Sequence, residues 1–393
     1  MRLQNNVYII DALRTPMARA FSVLQEFDVS QLAVHVLRGI LQRQPVLRSY
    51  LSHVIMGNTV SAGAGQNFLR RAIISAGLPV TTPGYVINHV CGSGLQAAVM
   101  ATQSILTGDA DIVVAGGSES ASHSPELVFK RAHDEKTKRG LHESLIHDGL
   151  WCSVTDKHMG LLCEEMAQEH GISRKEQDDY AFQSYQKAIR AQAQGCFEEE
   201  ILPLLLPSGK RIIVDETVRK MVDRAIFNQF PAAFKKNGTV TAGNSSLPCD
   251  GAAAVMLASQ DAVEKHHLKP LARVLGYSVI AGDPHEVFTL GVDAVKQCLK
   301  RCQLKLEELD LLELSEAFAA QVVLTQKELA LDWEKINVCG GDVALGHPLG
   351  AAGARILVTL TRALKSFDRK VGVACVCSGG GGAIAMAVER SKV

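Results

Sequence analysis

Short β-branched runs alternate along this chain with longer stretches of helical periodicity, and that alternation restricts its fold more than any single motif. The runs at Val7–Ile10, His53–Gly57, Tyr85–Val90, Asp111–Ala115, Ala253–Ala258, Ala272–Ser278, Leu311–Leu314, Val371–Cys377 and Ala383–Val388 have the length and composition of strands. Amphipathic stretches at Ser30–Gln44, Gln66–Ala76, Gly94–Thr107, Ser173–Gln194, Glu286–Cys302, Phe318–Leu331 and Gly350–Ser366 predict helices. Strands that alternate with helices make an α/β fold. With 393 residues, 47% of them hydrophobic, the chain can bury a large core, which excludes a disordered polymer and a disulfide-stapled miniature. The 41 basic and 41 acidic residues balance, so no nucleic-acid footprint is expected.

That charge is unevenly spread. Between Ser120 and Cys249, 35 of 130 positions are charged, against 47 of the other 263. A step of this size marks a more solvated insertion between two buried units. The expected division is a first half over 1–119 plus 250–271, an inserted segment over 120–249, and a second half over 272–393. Gly108–Ser120 and Lys370–Ala385 echo each other, each passing from a charged lead-in through an apolar strand into glycines. Met1–Asn6 is polar and runs straight into a strand-like segment, so neither a secretory leader nor a transit segment is expected. No stretch reaches the roughly 18 uncharged apolar residues of a membrane span, and the final residues are not a peroxisomal tripeptide. The expectation is a cytoplasmic protein whose ten cysteines stay reduced.

Three positions could carry chemistry. Cys91 stands in N-H-V-C-G-S-G-L-Q-A-A, between a strand-like run and a helix-forming run. The unsatisfied N–H groups and positive dipole end of a helix favour a thiolate there; a buried cysteine beside a tight turn fits the same pattern. His347 lies in C-G-G-D-V-A-L-G-H-P-L-G, a glycine-rich loop that can hold an imidazole as base or electrophile, or as a cap for the helix that follows. Cys377 ends a strand that enters four glycines, a turn whose amides can form an anion nest. Alternation puts Cys375 and Cys377 on one face, so two packing thiols are the competing reading. Cys298 and Cys302, four apart on a helix, read as core, and Cys163, Cys196 and Cys249 carry no pattern. Neither zinc-ligand spacing nor a complete G-x-S-x-G elbow is present, so no metal and no serine nucleophile are expected.

Taken together, the motifs resemble the thiolase family of acyl-CoA acetyltransferases. The carriers of the resemblance are R-T-P at Arg14, the block around Cys91, G-G-S-E-S at 116–120, H-M-G at 158–160, T-A-G-N-S-S-L-P-C-D-G-A-A-A-V at 241–255, S-E-A-F-A-A-Q at 315–321, G-H-P-L-G-A-A-G-A-R at 346–355 and C-S-G-G-G-G at 377–382. The resemblance implies two similar layered α/β/α halves with an inserted loop domain, and a reversible Claisen exchange that turns two acetyl-CoA into acetoacetyl-CoA and CoA. It implies Cys91 as nucleophile, His347 as acceptor of its proton and as an oxyanion donor, and Cys377 as the thiol that moves the α-proton. Backbone N–H groups of Cys91 and Gly379 would form a second oxyanion site. Coenzyme A thioesters would be substrates, with no permanently bound cofactor, held by His158, Met159, Phe234, Ala242, Ser246, Ala317 and Phe318, with Arg219 and Arg224 as phosphate partners. Family members pair as homodimers or dimers of dimers.

The departures from the family pattern also matter. Ser315 stands where the family has Asn or His, a side chain that holds a water in the enolate oxyanion hole. Glu165 replaces an Asn, the segment after Arg14 lacks a glycine, and 151–157 is unusual; these bear on acyl-chain preference. Competing readings are a 3-ketoacyl-CoA thiolase for longer chains in fatty-acid breakdown and a non-catalytic acyl-CoA carrier of the same fold. A decarboxylating condensing enzyme would need a second histidine where Cys377 stands.

Overall fold

The structure, a computed structural model, describes residues 6–129 and 140–391. Parts of the expected insertion (130–139) and both chain ends therefore lie outside the described residues. In the first half β1 (Val7–Arg14), β2 (His53–Gly57), β3 (Gly84–Ile87), β4 (Ile112–Glu119) and β5 (Cys249–Ser259) join with helices α1 (Val29–Arg43), α2 (Phe68–Ala76) and α3 (Ser93–Leu106). The middle contributes α4 (Met159–Glu169) and α5 (Arg174–Ala193). The second half has β6 (Ala272–Ala281), α6 (Leu290–Cys302), β7 (Leu311–Leu314), α7 (Ala319–Leu329), α8 (Leu349–Ser366), β8 (Val371–Ser378) and β9 (Gly382–Arg390).

 The strands follow the order β3-β2-β4-β5-β1-β6-β9-β8-β7.

That order contains the same arrangement twice. In each half the second strand runs parallel to the fourth, β2 with β4 and β7 with β8, while the fourth, fifth and first are antiparallel neighbours. The third strand of the second half is reduced to one bridge, Leu312 to Ile336. The segments 108–120 and 370–385 that echo each other in sequence hold β4 and β8, the equivalent fourth strands. The halves join through three residue pairs between β1 and β6, from Val7–Val274 to Ile9–Ala272.

Strand alternation explains the layers. In β2, Val54 and Met56 face the cluster built on α1 and α2, whereas Ile55 faces the cluster that contains α3. Both faces are covered, which is why these strands read as continuous apolar runs. Helix α8 is buried from Leu349 to Leu364 and packs with α3 between the halves, its buried Arg355 and Arg362 being paired with carboxylates. A β-carbon at Gly94 would lie 2.6 Å from the Ala354 nitrogen, and one at Gly353 would lie 2.6 Å from the Leu95 nitrogen. Only glycine lets the two helices approach this closely.

The sequence-based boundaries of β2 and β7 coincide with the observed ones. Strand β4 runs past the expected end at Ala115 to Glu119, with Gly116 and Gly117 paired to Ala254 and Ala253. A β-carbon at Gly117 would lie 2.2 Å from the Gly350 oxygen, so these glycines continue the strand while admitting the start of α8. Helix α4 was not expected; it starts from His158, whose Nδ1 accepts the Gly160 N–H at 3.0 Å.

Candidate active site

The starts of α3 and α8, equivalent helices of the two halves, converge on one pocket. Just before α3, Val90 has φ +47°, a strained conformation for a β-branched residue. Its carbonyl accepts from the hydroxyls of Ser93 (2.6 Å) and Thr59 (3.1 Å), and its N–H donates to Asn88 Oδ1 at 2.9 Å. This network turns the chain so that half-buried Cys91 enters the pocket. The Ser378 hydroxyl donates to the His89 carbonyl, tying that turn to the end of β8. Cys377 precedes it, buried against Gly291 at the start of α6.

His347 enters from the second half. Gly346, at φ +88°, reverses the chain after the short helix Asp342–Leu345, and a β-carbon there would lie 2.2 Å from the Cys249 sulfur. The His347 N–H donates to the Leu247 carbonyl at 2.8 Å. Nδ1 lies 3.1 Å from Asp342 Oδ2. Nε2 has no hydrogen-bond partner at normal geometry, yet the ring interacts with the Cys91 sulfur. Burial opposes a charged ring, but Cys91 and Asp342 outweigh it and raise His347 to about 10. Burial also works against an ionised Asp342, but Arg355, His347 and Ser315 hold it below the usual carboxylate range. Burial pushes the Cys377 thiol up to about 12, helped by the charge of Cys91 and opposed by the Gly291 backbone and Gln321.

The pocket encloses about 900 Å³, counting its open mouth. His158, Met159, Phe234, Ser246, Ala317 and Phe318 form part of its wall. The His158 and Phe234 rings stack at 4.9 Å, and Gly160 is required there because a β-carbon would lie 2.4 Å from the Phe234 ring. Ser246 is fixed by donating its N–H and hydroxyl to the Ala317 carbonyl, both at 3.0 Å. Such a pocket, mostly apolar with a few polar groups, suits a flexible ligand with a reactive terminus.

Residues 7–261 match the thiolase N-terminal domain family and residues 268–390 the thiolase C-terminal domain family. The chain belongs to the thiolase family. An acetyl-CoA acetyltransferase of Chromobacterium violaceum is 42% identical over 390 residues, covering 98% of this chain and 99% of the relative. A probable acetyl-CoA acyltransferase of Staphylococcus aureus is 41% identical over 396 residues, with the same coverage. The crystal structure of human mitochondrial 3-ketoacyl-CoA thiolase superposes with a TM-score of 0.95 at 36% identity, covering 99% of this chain and all of that one. Its complex with CoA superposes at 0.94, again at 36% identity. The protein is thus an acyltransferase of thiolase fold.

Cys91, His347, Cys377 and Gly379 all line the pocket of this thiolase, together with the six wall residues named above. Four expected site residues do not. Ser315 is buried behind the imidazole and donates to Asp342 Oδ2 at 2.5 Å. Ala242 is exposed on its loop. Arg219 lines a separate recess with Arg19, Tyr185 and Glu216, its guanidinium 5.7 Å from the Tyr185 ring centre. Arg224, the other phosphate candidate, pairs with Asp179 at 2.7 Å. Sequence reasoning missed Val287, Phe288 and Leu349 on the pocket wall, whose apolar character made them look like ordinary core. It also missed Asp342, although the acid was visible five residues before His347.

Proposed function

We propose that this thiolase joins two acetyl-CoA into acetoacetyl-CoA and CoA, and runs the reverse thiolysis. The convergence of Cys91, His347, Cys377 and Gly379 on one apolar pocket carries the proposal. The Cys91 sulfur attacks the thioester carbonyl as His347 takes its proton, and CoA leaves with that proton, giving an acyl-cysteine. Cys377, once its thiol proton has passed to solvent, removes the α-proton of the second acetyl-CoA; the enolate carbon attacks the acyl group and expels Cys91 as a thiolate, which regains a proton through His347. The neighbouring Cys91 thiol helps hold the Cys377 thiol up. Acylation leaves Cys91 with no ionisable group, so Cys377 becomes easier to ionise at the stage where it must act as base.

Nε2 of His347 is available to the enolate oxygen, and the backbone N–H groups of Cys91 and Gly379 are proposed to receive the tetrahedral oxyanion. Loss of one such donor typically costs about 10²–10³ in rate, so His347→Ala is expected to lower kcat at least that far. The name of the bacterial relative, an acetyl-CoA acetyltransferase, supports the short-chain reaction, whereas the human structure is named a 3-ketoacyl-CoA thiolase and keeps longer 3-ketoacyl chains as the second reading. Thiolysis rates on 3-ketoacyl-CoAs of increasing length test the choice: the highest kcat/KM on acetoacetyl-CoA is expected, and a maximum on longer chains would overturn it. A cytoplasmic location and assembly as a homodimer or dimer of dimers complete the proposal, the latter tested by sedimentation.

A further inference from the structure

We infer that Asp342 is a positioning residue for proton transfer, completing a Cys91–His347–Asp342 relay in which Ser315 and Arg355 lock the carboxylate. This rests on the nucleophilic role proposed for Cys91. Asp342 Oδ2 lies 3.1 Å from His347 Nδ1 and also accepts from the Ser315 hydroxyl at 2.5 Å and the Glu316 N–H at 3.0 Å. Arg355 donates to Oδ1 and, at 3.0 Å, to Glu313. Asp342 and Arg355 are completely buried, so neither charge is maintained by solvent.

An ionised carboxylate at Nδ1 selects the tautomer that carries its proton there and leaves Nε2 as the atom that exchanges a proton with Cys91. It also stabilises the imidazolium formed when Cys91 ionises. Ser315 takes a different part from the water-holding one implied by the family pattern. Its single hydroxyl proton is engaged by Asp342, its oxygen stands 3.5 Å from His347 Nδ1 on the side away from Nε2, and it does not line the pocket. The acid at 342 and the serine at 315 therefore work as a pair. The titratable groups facing His347 are Cys91 from the turn before α3, Asp342 from its own short helix, and Cys249 from the start of β5, which packs on the backbone beside it.

The test is the pH dependence of Cys91 alkylation by iodoacetamide, mapped by peptide mass, in the full chain. Removing the negative charge weakens the imidazolium, so in Asp342→Asn the alkylation midpoint is expected to rise by about one pH unit or more. In the same variant kcat should fall about 10²-fold or more with KM changed less than about threefold. Asp342→Glu should recover most of the midpoint shift. A fall in kcat without movement of the midpoint, or a midpoint and kcat like the wild type's, would overturn the relay. If Asp342→Asn does not fold, nitrogen-15 NMR of histidine-labelled wild-type protein decides: a proton on His347 Nδ1 from pH 6 to 9 is expected, and a bare Nδ1 would overturn the proposal. Wild-type protein that accepts no acetyl group on Cys91 would instead defeat the underlying assignment of the nucleophile.

Discussion

A β-carbon at Gly291 would sit 3.0 Å from the Cys377 sulfur and 3.7 Å from that of Cys375, so the placement of the second thiol depends on one missing methyl group. Gly291→Ala is expected to lower the condensation rate by about 10²-fold through displacement of Cys377, while acetylation of Cys91 persists; separate assays of the two steps check this. His347 makes a second prediction. Its proton affinity is raised from 6.5 to about 10, so the folded state binds a proton that the unfolded state releases between those values. The resulting stability is fully present below pH 6.5 and is lost as pH rises through about 10. Thermal melts should show that alkaline decline in the wild type and a shallower one in His347→Gln. Cys91, His347 and Cys377 were all legible as candidates, each beside a packing alternative that only their joint motif pattern displaced. Asp342 was not legible as a partner, because five residues across a left-handed glycine is not a helical spacing.

The helices that deliver Cys91 and His347 are held together by small residues, and their packing is open to test. Gly94→Ala places a methyl group against the Ala354 backbone, where neither helix has slack. A cost of about 1–3 kcal/mol is expected from such overpacking, read as a lower denaturation midpoint, with activity falling alongside because both helix starts carry the chemistry. Strands buried on both faces were legible as apolar runs, and helices α1, α3 and α8 from their periodicity. Strand β4 was cut short at its glycines because the reason for them, the start of α8 lying against the strand, is a contact between residues far apart in sequence. Helix α4 was missed because its inward positions include Gly160 and Glu164, which break the apolar pattern; the Glu164 carboxylate accepts the N–H groups of Thr239 and Val240 at 2.9 and 2.8 Å.

Across the whole molecule, the repeated strand order puts Cys91 and His347, the proposed nucleophile and its partner, at equivalent places. Cys91 stands before α3 and β4 in one half, and His347 stands before α8 and β8 in the other. Duplication was faintly legible in the glycine-bounded echo of the two fourth strands, but their equivalence depends on pairings that sequence spacing does not encode. The charged middle contributes His158, Met159, Phe234 and Ser246 to the wall of the pocket, so the two halves alone do not enclose it. Cys91 is proposed as the residue acylated in this pocket. Intact-mass spectrometry after brief exposure to acetyl-CoA, with peptide mapping, tests it most directly. The expected result is one acetyl group on Cys91 in the wild type and in Cys377→Ala, and none in Cys91→Ala; the same mass gain in Cys91→Ala would contradict the account.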